Sequence, residues 1–127
     1  MTLFITLEQG LRIVRRAVGA PIQVRDLGLL EAALFRPRAS VFGQDAYPDL
    51  FTKAAALLHS IISSHPFVDG NKRAAWLTMY VFCAKNGVMI EPADEDEAYD
   101  FVIAVASGKL TEVDEIADVL RSFAVTA

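Results

Sequence analysis

The side chains best able to do chemistry lie together in residues 65–73, which read HPFVDGNKR. The Asp69-Gly70-Asn71 turn stands directly before a strongly apolar run with helical spacing. A turn in that position presents unpaired backbone N–H groups, and glycine lets a phosphate approach closely. The segment therefore predicts an anion site, built by Gly70 and Asn71, at the start of a helix.

Two cations and a carboxylate adjoin that turn. Lys72 and Arg73 fall in the first helical turn, where a positive side chain is unfavourable by roughly 0.3 kcal/mol because the helix N-terminus is itself positive. A bound anion would compensate them, and Arg73 can hold two phosphate oxygens at once. Asp69, beside the anion site, suits a Mg²⁺ ion bridged to phosphates.

His65 supplies a base at the beginning of the same segment. It follows a long apolar helix, and an imidazole can take a proton from an attacking hydroxyl near neutral pH. Phe67 is predicted to hold the loop against the core, which is a structural role rather than a catalytic one. A base, a metal ligand and an anion site this close together indicate nucleotide phosphate chemistry.

Each of these residues also has an ordinary structural role open to it. The roles are a helix N-cap for Asp69 or Asn71, a turn for Gly70, a helix C-terminus for His65, and solvated surface charge for Lys72 and Arg73. The structural interpretation needs all of these coincidences at one spacing, and it gives no reason for two cations at a helix start. We therefore favour the phosphate site.

Two further residues, His59 and Cys83, lie in apolar helical runs. We expect His59 to be a hydrogen-bonded residue at the boundary of the core and Cys83 to be a small core residue. A single cysteine fits a reducing compartment, and no Cys/His array supports a zinc site.

The whole chain has the size and composition of one domain, residues 1–127. It has 127 residues, 54% of them hydrophobic, and a net charge of −4. Residues 1–90 carry ten Lys/Arg against six Asp/Glu, whereas residues 91–127 carry two against ten. The basic half suits an anionic ligand near the motif, and the overall acidity argues against direct nucleic-acid binding. The N-terminus lacks signal-peptide features and no apolar stretch spans a bilayer, so we expect a soluble cytoplasmic protein with no membrane contact.

Helix caps and apolar periodicity predict the elements before the motif. A Thr6/Gln9 capping box starts the first helix, which stops at Gly19. Asp26 caps a second helix through about Phe35. Residues 36–48 have turn formers and no helical period, so they form an ordered loop or a short hairpin.

The remaining helices surround and follow the motif. The central helix begins after Asp49 and is apolar nearly all round, and the helix after the motif stops at Asn86 and Gly87. Residues 94–107 form another helix, and Thr111 starts the last one. No convincing strand pair emerges, so the fold class is all-α, with six helices in a bundle-like domain.

At this point the motif resembles the signature of the Fic/Doc family, in the variant carried by its Doc ("death on curing") toxins. Residues 25–33, the Asn86-Gly87 helix end, the length and the helical layout are similar too, so the resemblance covers most of the chain. The usual Fic signature has glycine where this chain has Lys72 and a second arginine where it has Trp76. Both departures point toward the Doc variant, although Leu77 stands where some Doc relatives carry an asparagine.

The resemblance implies a compact six-helix domain with a flap loop, residues 36–48, before the central helix; a plain connector is the alternative for that loop. It also implies the role of each site residue. These are the catalytic base His65, the Mg²⁺ ligand Asp69, and the phosphate-binding residues Gly70, Asn71, Lys72 and Arg73. Fic enzymes transfer a nucleotidyl group to a protein hydroxyl, whereas Doc toxins transfer the γ-phosphoryl group of ATP, with elongation factor Tu as target.

Regulation is also implied by the family. Many Fic proteins carry an inhibitory helix with a Ser/Thr, three residues, Glu, then Gly or Asn, and no such match is found here. The resemblance therefore implies a separate antitoxin protein, whose helical C-terminal segment lies in an apolar groove. A Fic-type adenylyltransferase and a catalytically silent interaction module stay open as alternatives to the Doc-type Ser/Thr kinase.

Overall fold

The computed structural model describes residues 1–19 and 21–126, without the side chain of residue 126. All six predicted helices are present, which confirms the all-α fold class. In chain order the elements are α1 (Leu7–Val18), α2 (Leu27–Phe35), a short 3₁₀-helix (Arg36–Arg38), β1 (Ser40–Val41), β2 (Gln44–Asp45), α3 (Leu50–Ser64), α4 (Asn71–Lys85), β3 (Val88–Ile90), α5 (Glu95–Ala106), α6 (Val113–Phe123) and β4 (Ala124–Thr126).

Helix α3 is the centre of the molecule. It packs closely against α4 and α6, and α2 and α5 also contact it. Residues 54–58 of α3 read AAALL and are all buried, as the all-round apolar pattern predicts. The small side chains of the three consecutive alanines leave room for neighbouring helices to pack closely against α3.

The helix boundaries mostly follow their local signals. Thr6 and Gln9 form the predicted capping box of α1, and the Asp26 side chain accepts a hydrogen bond from Leu29 N at 3.0 Å. Helix α4 stops before Gly87, which has φ of +86°. The predicted start of the last helix was wrong, because α6 begins at Val113 and no side chain caps it.

Two small antiparallel strand pairs accompany the helices. β1 and β2 form a hairpin inside residues 36–48, which selects the hairpin from the two predicted alternatives. β3 pairs with β4, so the expectation of no strand pair was wrong. Strands of three residues are too short to show an alternating pattern, and these partners come together only because α5 and α6 fold between them.

Candidate active site

Helix α3 ends at the residue predicted to be the base. His65 has φ of 51° and ψ of 60°, a left-handed backbone that non-glycine residues rarely adopt. Arg25 Nε donates to His65 O at 2.7 Å, and Arg25 Nη2 donates to Ser64 O at 2.8 Å. A guanidinium therefore holds the last two carbonyl groups of this turn, and the His65 side chain is exposed beside them.

The loop between α3 and α4 is held from one side by residues 23–26. Val68 N donates to Gln23 O at 3.0 Å, and the backbone N–H groups of Arg25 and Asp26 both donate to Pro66 O. The Phe67 side chain is buried, which confirms its predicted role in holding the loop on the core. The loop is thus ordered by backbone pairing and by one aromatic side chain.

Asn71 closes the same loop from the other side. Its Oδ1 accepts from Phe67 N at 3.0 Å, and its Nδ2 donates to Phe67 O at 2.9 Å. The Asn71 side chain is therefore engaged within the loop, and its backbone N–H is the group left to meet an anion.

Gly70 is the N-cap of α4 and needs to be glycine for two reasons. Its φ is +78°, and a Cβ built on it would lie 3.0 Å from Val18 Cγ2 of α1. No side chain caps α4, so the alternative roles of Asp69 and Asn71 as N-caps are wrong. The first N–H groups of a helix have no intrahelical partner, and here they open onto the site.

Charge at this helix start is positive and has no ion-pair partner among the residues that the structure describes. Lys72 and Arg73 are exposed, and none of the ion pairs among the described residues includes either of them. Both cations add to the positive end of the α4 dipole. The arrangement is electrostatically unfavourable, and an anion bound there would relieve it.

One cleft of about 440 Å³ contains most of the predicted site. Asp69, Gly70, Asn71, Lys72 and Arg73 line one side of it. A cleft of this size accommodates a small-molecule ligand such as a nucleotide. His65 is not among the residues that line it; it is the C-cap residue of α3, and its side chain is exposed.

Helix α5 forms the opposite wall of this cleft, which sequence reasoning missed. Tyr99, Val102 and Ile103 line it together with Trp76 of α4, and the Tyr99 side chain is 64% exposed. The signal available from the sequence was an aromatic residue, Tyr99, among the acidic residues that start this predicted helix. The cleft thus has a polar, positive side and an apolar side.

The Asp69 carboxylate suits a hard divalent cation whose other ligands would be the phosphates of a bound nucleotide and water. Asp69 Oδ1 accepts from Gly70 N at 2.8 Å, and the carboxylate is exposed at the cleft. Within residues 1–19 and 21–126, no three His, Cys, Asp or Glu side chains cluster as a metal site. Mg²⁺ in nucleotide sites commonly uses one or two carboxylates together with phosphates and water, and Asp69 suits that role.

The other histidine and the cysteine have the predicted structural roles. Arg36 Nη1 and His59 Nδ1 are 3.1 Å apart, and Arg36 also donates to Ser60 Oγ and Tyr47 Oη. Burial, followed by the nearby Arg36 charge, lowers the pKa of His59. Cys83 is fully buried, and burial raises the pKa of its thiol to about 12.

The hairpin before α3 is anchored by a buried lysine that the sequence analysis did not single out. The Lys53 side chain is 4% exposed, and its Nζ lies 3.1 Å from Asp45 Oδ2 and contacts Tyr47 O. At the hairpin tip Phe42 is fully exposed with φ of 51°. The hairpin is therefore fastened at its base and presents an apolar side chain at its end.

The part of the chain that the structure describes contains no helix with the length and apolar character needed to cross a membrane.

Comparison with known proteins agrees with this geometry. The family model described as Fic/DOC matches residues 4–83. Toxin Doc of Mycolicibacterium smegmatis is 44% identical over 128 aligned residues, which cover 100% of this chain and 98% of that protein. Protein kinase doc of Escherichia phage P1 is 34% identical over 96 residues, covering 76% of this chain and 73% of that one. The motif, the helical frame and these matches lead to one conclusion: the chain belongs to the Fic/Doc family, and within it to the Doc proteins.

Proposed function

We propose that the protein is a Doc-like toxin of a toxin–antitoxin pair that transfers the γ-phosphoryl group of ATP to a Ser/Thr hydroxyl of elongation factor Tu and so halts translation. One observation carries this proposal. The uncapped start of α4 joins backbone N–H groups to the unpaired charges of Lys72 and Arg73, beside the Asp69 carboxylate. The relatives named as a toxin and as a protein kinase support the same activity.

Different groups of the chain would bind the phosphates, hold the metal ion and take the proton. The N–H groups at the start of α4 and the two cations bind and orient the phosphates and stabilise charge on the transferring group. Asp69 would hold Mg²⁺, which neutralises phosphate charge when bound. His65 takes the proton of the attacking hydroxyl as the new O–P bond forms and ADP leaves. His65 Nδ1 lies 3.4 Å from Ser63 O, so the tautomer with its proton on Nδ1 leaves Nε2 to accept.

The side chains that depart from the usual Fic signature favour phosphoryl over nucleotidyl transfer. Lys72 adds a positive charge to the phosphate site at a position where the Fic signature has glycine. Trp76 stands where the Fic signature has its second arginine, so that phosphate-binding side chain is missing here. Either change alters where the negative charge of a triphosphate is best neutralised. The alternative, a Fic-type adenylyltransferase, would use the same base and the same phosphate site and would differ in the group transferred.

Mass spectrometry of the target distinguishes the two. Elongation factor Tu is incubated with the protein, ATP and Mg²⁺, and its mass is measured. We expect one phosphoryl adduct on a Ser or Thr, and no adduct with His65→Ala. A nucleotidyl adduct would reject the kinase in favour of the adenylyltransferase. An unmodified target, with no ATP–Mg²⁺ binding by calorimetry, would favour the silent interaction module.

The α1–α4 groove is the surface that we propose for the antitoxin. It has a volume of about 400 Å³, with Ile5, Ile13, Leu77 and Val81 on its apolar floor and Arg12, Arg16 and Lys85 at its edge. An amphipathic helix with acidic flanks complements both features. Such a C-terminal antitoxin segment should bind the Arg16→Glu variant more weakly than the wild type and bind the Lys109→Glu variant as tightly. Equal binding to both variants would reject this groove.

A toxin acting on a translation factor would work in the cytoplasm.

A further inference from the structure

We propose that Arg25 is a positioning residue for the base, a role that rests on the proposed function because it acts through His65. Arg25 Nε and Nη2 donate to His65 O and Ser64 O at 2.7 and 2.8 Å. Arg25 lies outside the cleft-lining residues, so its effect on catalysis is through the orientation of His65 rather than through nucleotide binding.

The contact meets a specific need at the end of α3. The last carbonyl groups of a helix have no intrahelical partner, and the C-terminus carries partial negative charge. A guanidinium answers both needs, since its planar donors can satisfy two neighbouring carbonyl oxygens while its charge opposes the dipole. A lysine would supply the charge, but its single flexible ammonium group lacks the fixed planar arrangement of donors that fits two neighbouring carbonyl oxygens.

The backbone that Arg25 holds is one that would otherwise relax. His65 has a left-handed conformation, with φ of 51° and ψ of 60°, which is unfavourable for a residue with a Cβ. This conformation determines the direction in which the imidazole leaves the chain. Fixing the Ser64 and His65 carbonyl groups therefore fixes the imidazole relative to the start of α4.

Arg25 is itself held in place from both sides. Its own N–H donates to Pro66 O at 2.8 Å, and the preceding residue Val24 pairs with Phe67 across an antiparallel bridge. The following residue, Asp26, caps α2. The guanidinium thus extends from a rigid segment whose neighbours already contact the motif loop, and this makes it an effective positioning group.

Histidine NMR tests the positioning without requiring activity. The chain has two histidines, so a protein labelled with ¹³C-histidine gives two imidazole signals, which His65→Ala assigns. We expect Arg25→Ala and Arg25→Lys to shift or broaden the His65 signal and leave the His59 signal unchanged. The control Arg15→Ala removes an exposed arginine from the last turn of α1 and should move neither signal.

Kinetics test the consequence for catalysis. Both Arg25 variants should lower kcat for target modification by roughly ten- to a hundredfold with an unchanged KM for ATP. Millimolar guanidinium should restore part of the kcat of Arg25→Ala, because the site is exposed, and should not help Arg15→Ala or the wild type.

The outcomes separate this inference from the proposed function. An unchanged His65 signal in a folded Arg25→Lys protein would overturn the inference, as would an unchanged kcat or a change confined to KM. If Arg25→Ala does not fold, Arg25→Lys carries the same test. A displaced His65 signal in a protein whose wild type modifies no target would reject the proposed function and retain the positioning.

Discussion

Single residues at the start of α4 form the site that we propose for an anionic ligand. The polar side chains of the turn bind the turn itself, since Asp69 Oδ1 accepts from Gly70 N and Asn71 spans Phe67. What faces the cleft is main-chain N–H, the charge of Lys72 and Arg73, and the exposed Asp69 carboxylate. At this scale the proposed site would bind an anion through backbone N–H groups and cations, and the shape of the turn is set by its own hydrogen bonds.

Gly70 offers a test of how tightly the turn is specified. Gly70→Ala should lower the free energy of unfolding by more than Gly108→Ala, measured by urea denaturation. Both alanines would have positive φ, at a cost of about 1–2 kcal/mol, but only Gly70 has a neighbour that a Cβ would meet. The extra loss at Gly70 comes from Val18 Cγ2 at 3.0 Å, whereas nothing lies within 4 Å at Gly108.

A double variant checks that explanation. Val18→Ala removes the methyl groups that the new Cβ would meet, so adding it to Gly70→Ala should cost less stability than adding it to the wild type. Additive losses would show that Val18 does not set the requirement for glycine at this position.

Among the elements, α3 holds two features in place: the hairpin is anchored along its first turns, and His65, the proposed base, is its C-cap residue. Its N-cap Asp49 and its apolar run are local signals, and so they were predictable. The Lys53 contact with the hairpin and the Arg25 contact with the helix end depend on which segments fold against α3. Such long-range contacts leave no periodic trace in the sequence, and the β3–β4 pair was missed for the same reason.

The anchoring of the hairpin by Lys53 can be measured by hydrogen exchange. Lys53→Met should speed exchange of the Ala46 amide, which donates to Ala39 O, by roughly tenfold, because the buried donor to Tyr47 O is lost. Asp45→Ala should have a smaller effect, since the Asp45 side chain is 62% exposed and Lys53 Nζ keeps its contact with Tyr47 O in that variant. Equal effects of the two variants would contradict an anchoring role for the buried contact.

The junction of α3 with α6 predicts an acid-dependent loss of stability. Burial raises the pKa of Asp49, but the hydrogen bond from Thr52 N and the charge of Arg121, 2.7 Å away, outweigh it and hold the pKa below its ordinary value. The stabilisation from ionised Asp49 is therefore complete above the ordinary pKa of 3.8 and is lost as pH falls through the folded-state value.

Urea denaturation between pH 6 and strongly acid conditions measures this effect. The wild type should lose more stability than Asp49→Asn on acidification, because the amide caps the helix but does not titrate. Parallel pH profiles for the two proteins would mean that Asp49 contributes nothing to the acid sensitivity.

For the whole molecule, the cleft depends on elements that are far apart in the chain. The side of the cleft formed by residues 69–73, where we propose phosphate binding, was predictable as a cluster, because its residues are consecutive. The α5 wall and the position of His65 outside the cleft lining were not, because the wall depends on how α5 packs beside α4, and the position of His65 depends on how residues 23–26 fold against the end of α3. Trp76 connects the cleft to the packing of the helices, since it lines the cleft and also packs edge-to-face on Phe101 of α5 and Phe123 of α6.

Trp76 is the only tryptophan in the chain, so its fluorescence should report ligand entry into the assembled cleft. Titration with ATP–Mg²⁺ should change its emission saturably, and Lys72→Ala should weaken the apparent affinity by roughly tenfold through loss of a charge-assisted contact. Lys109→Ala removes the same charge from an exposed turn after α5 and should bind as the wild type does. Equal affinities for both lysine variants would mean that the nucleotide binds away from the start of α4, and the phosphate site would then have to be abandoned.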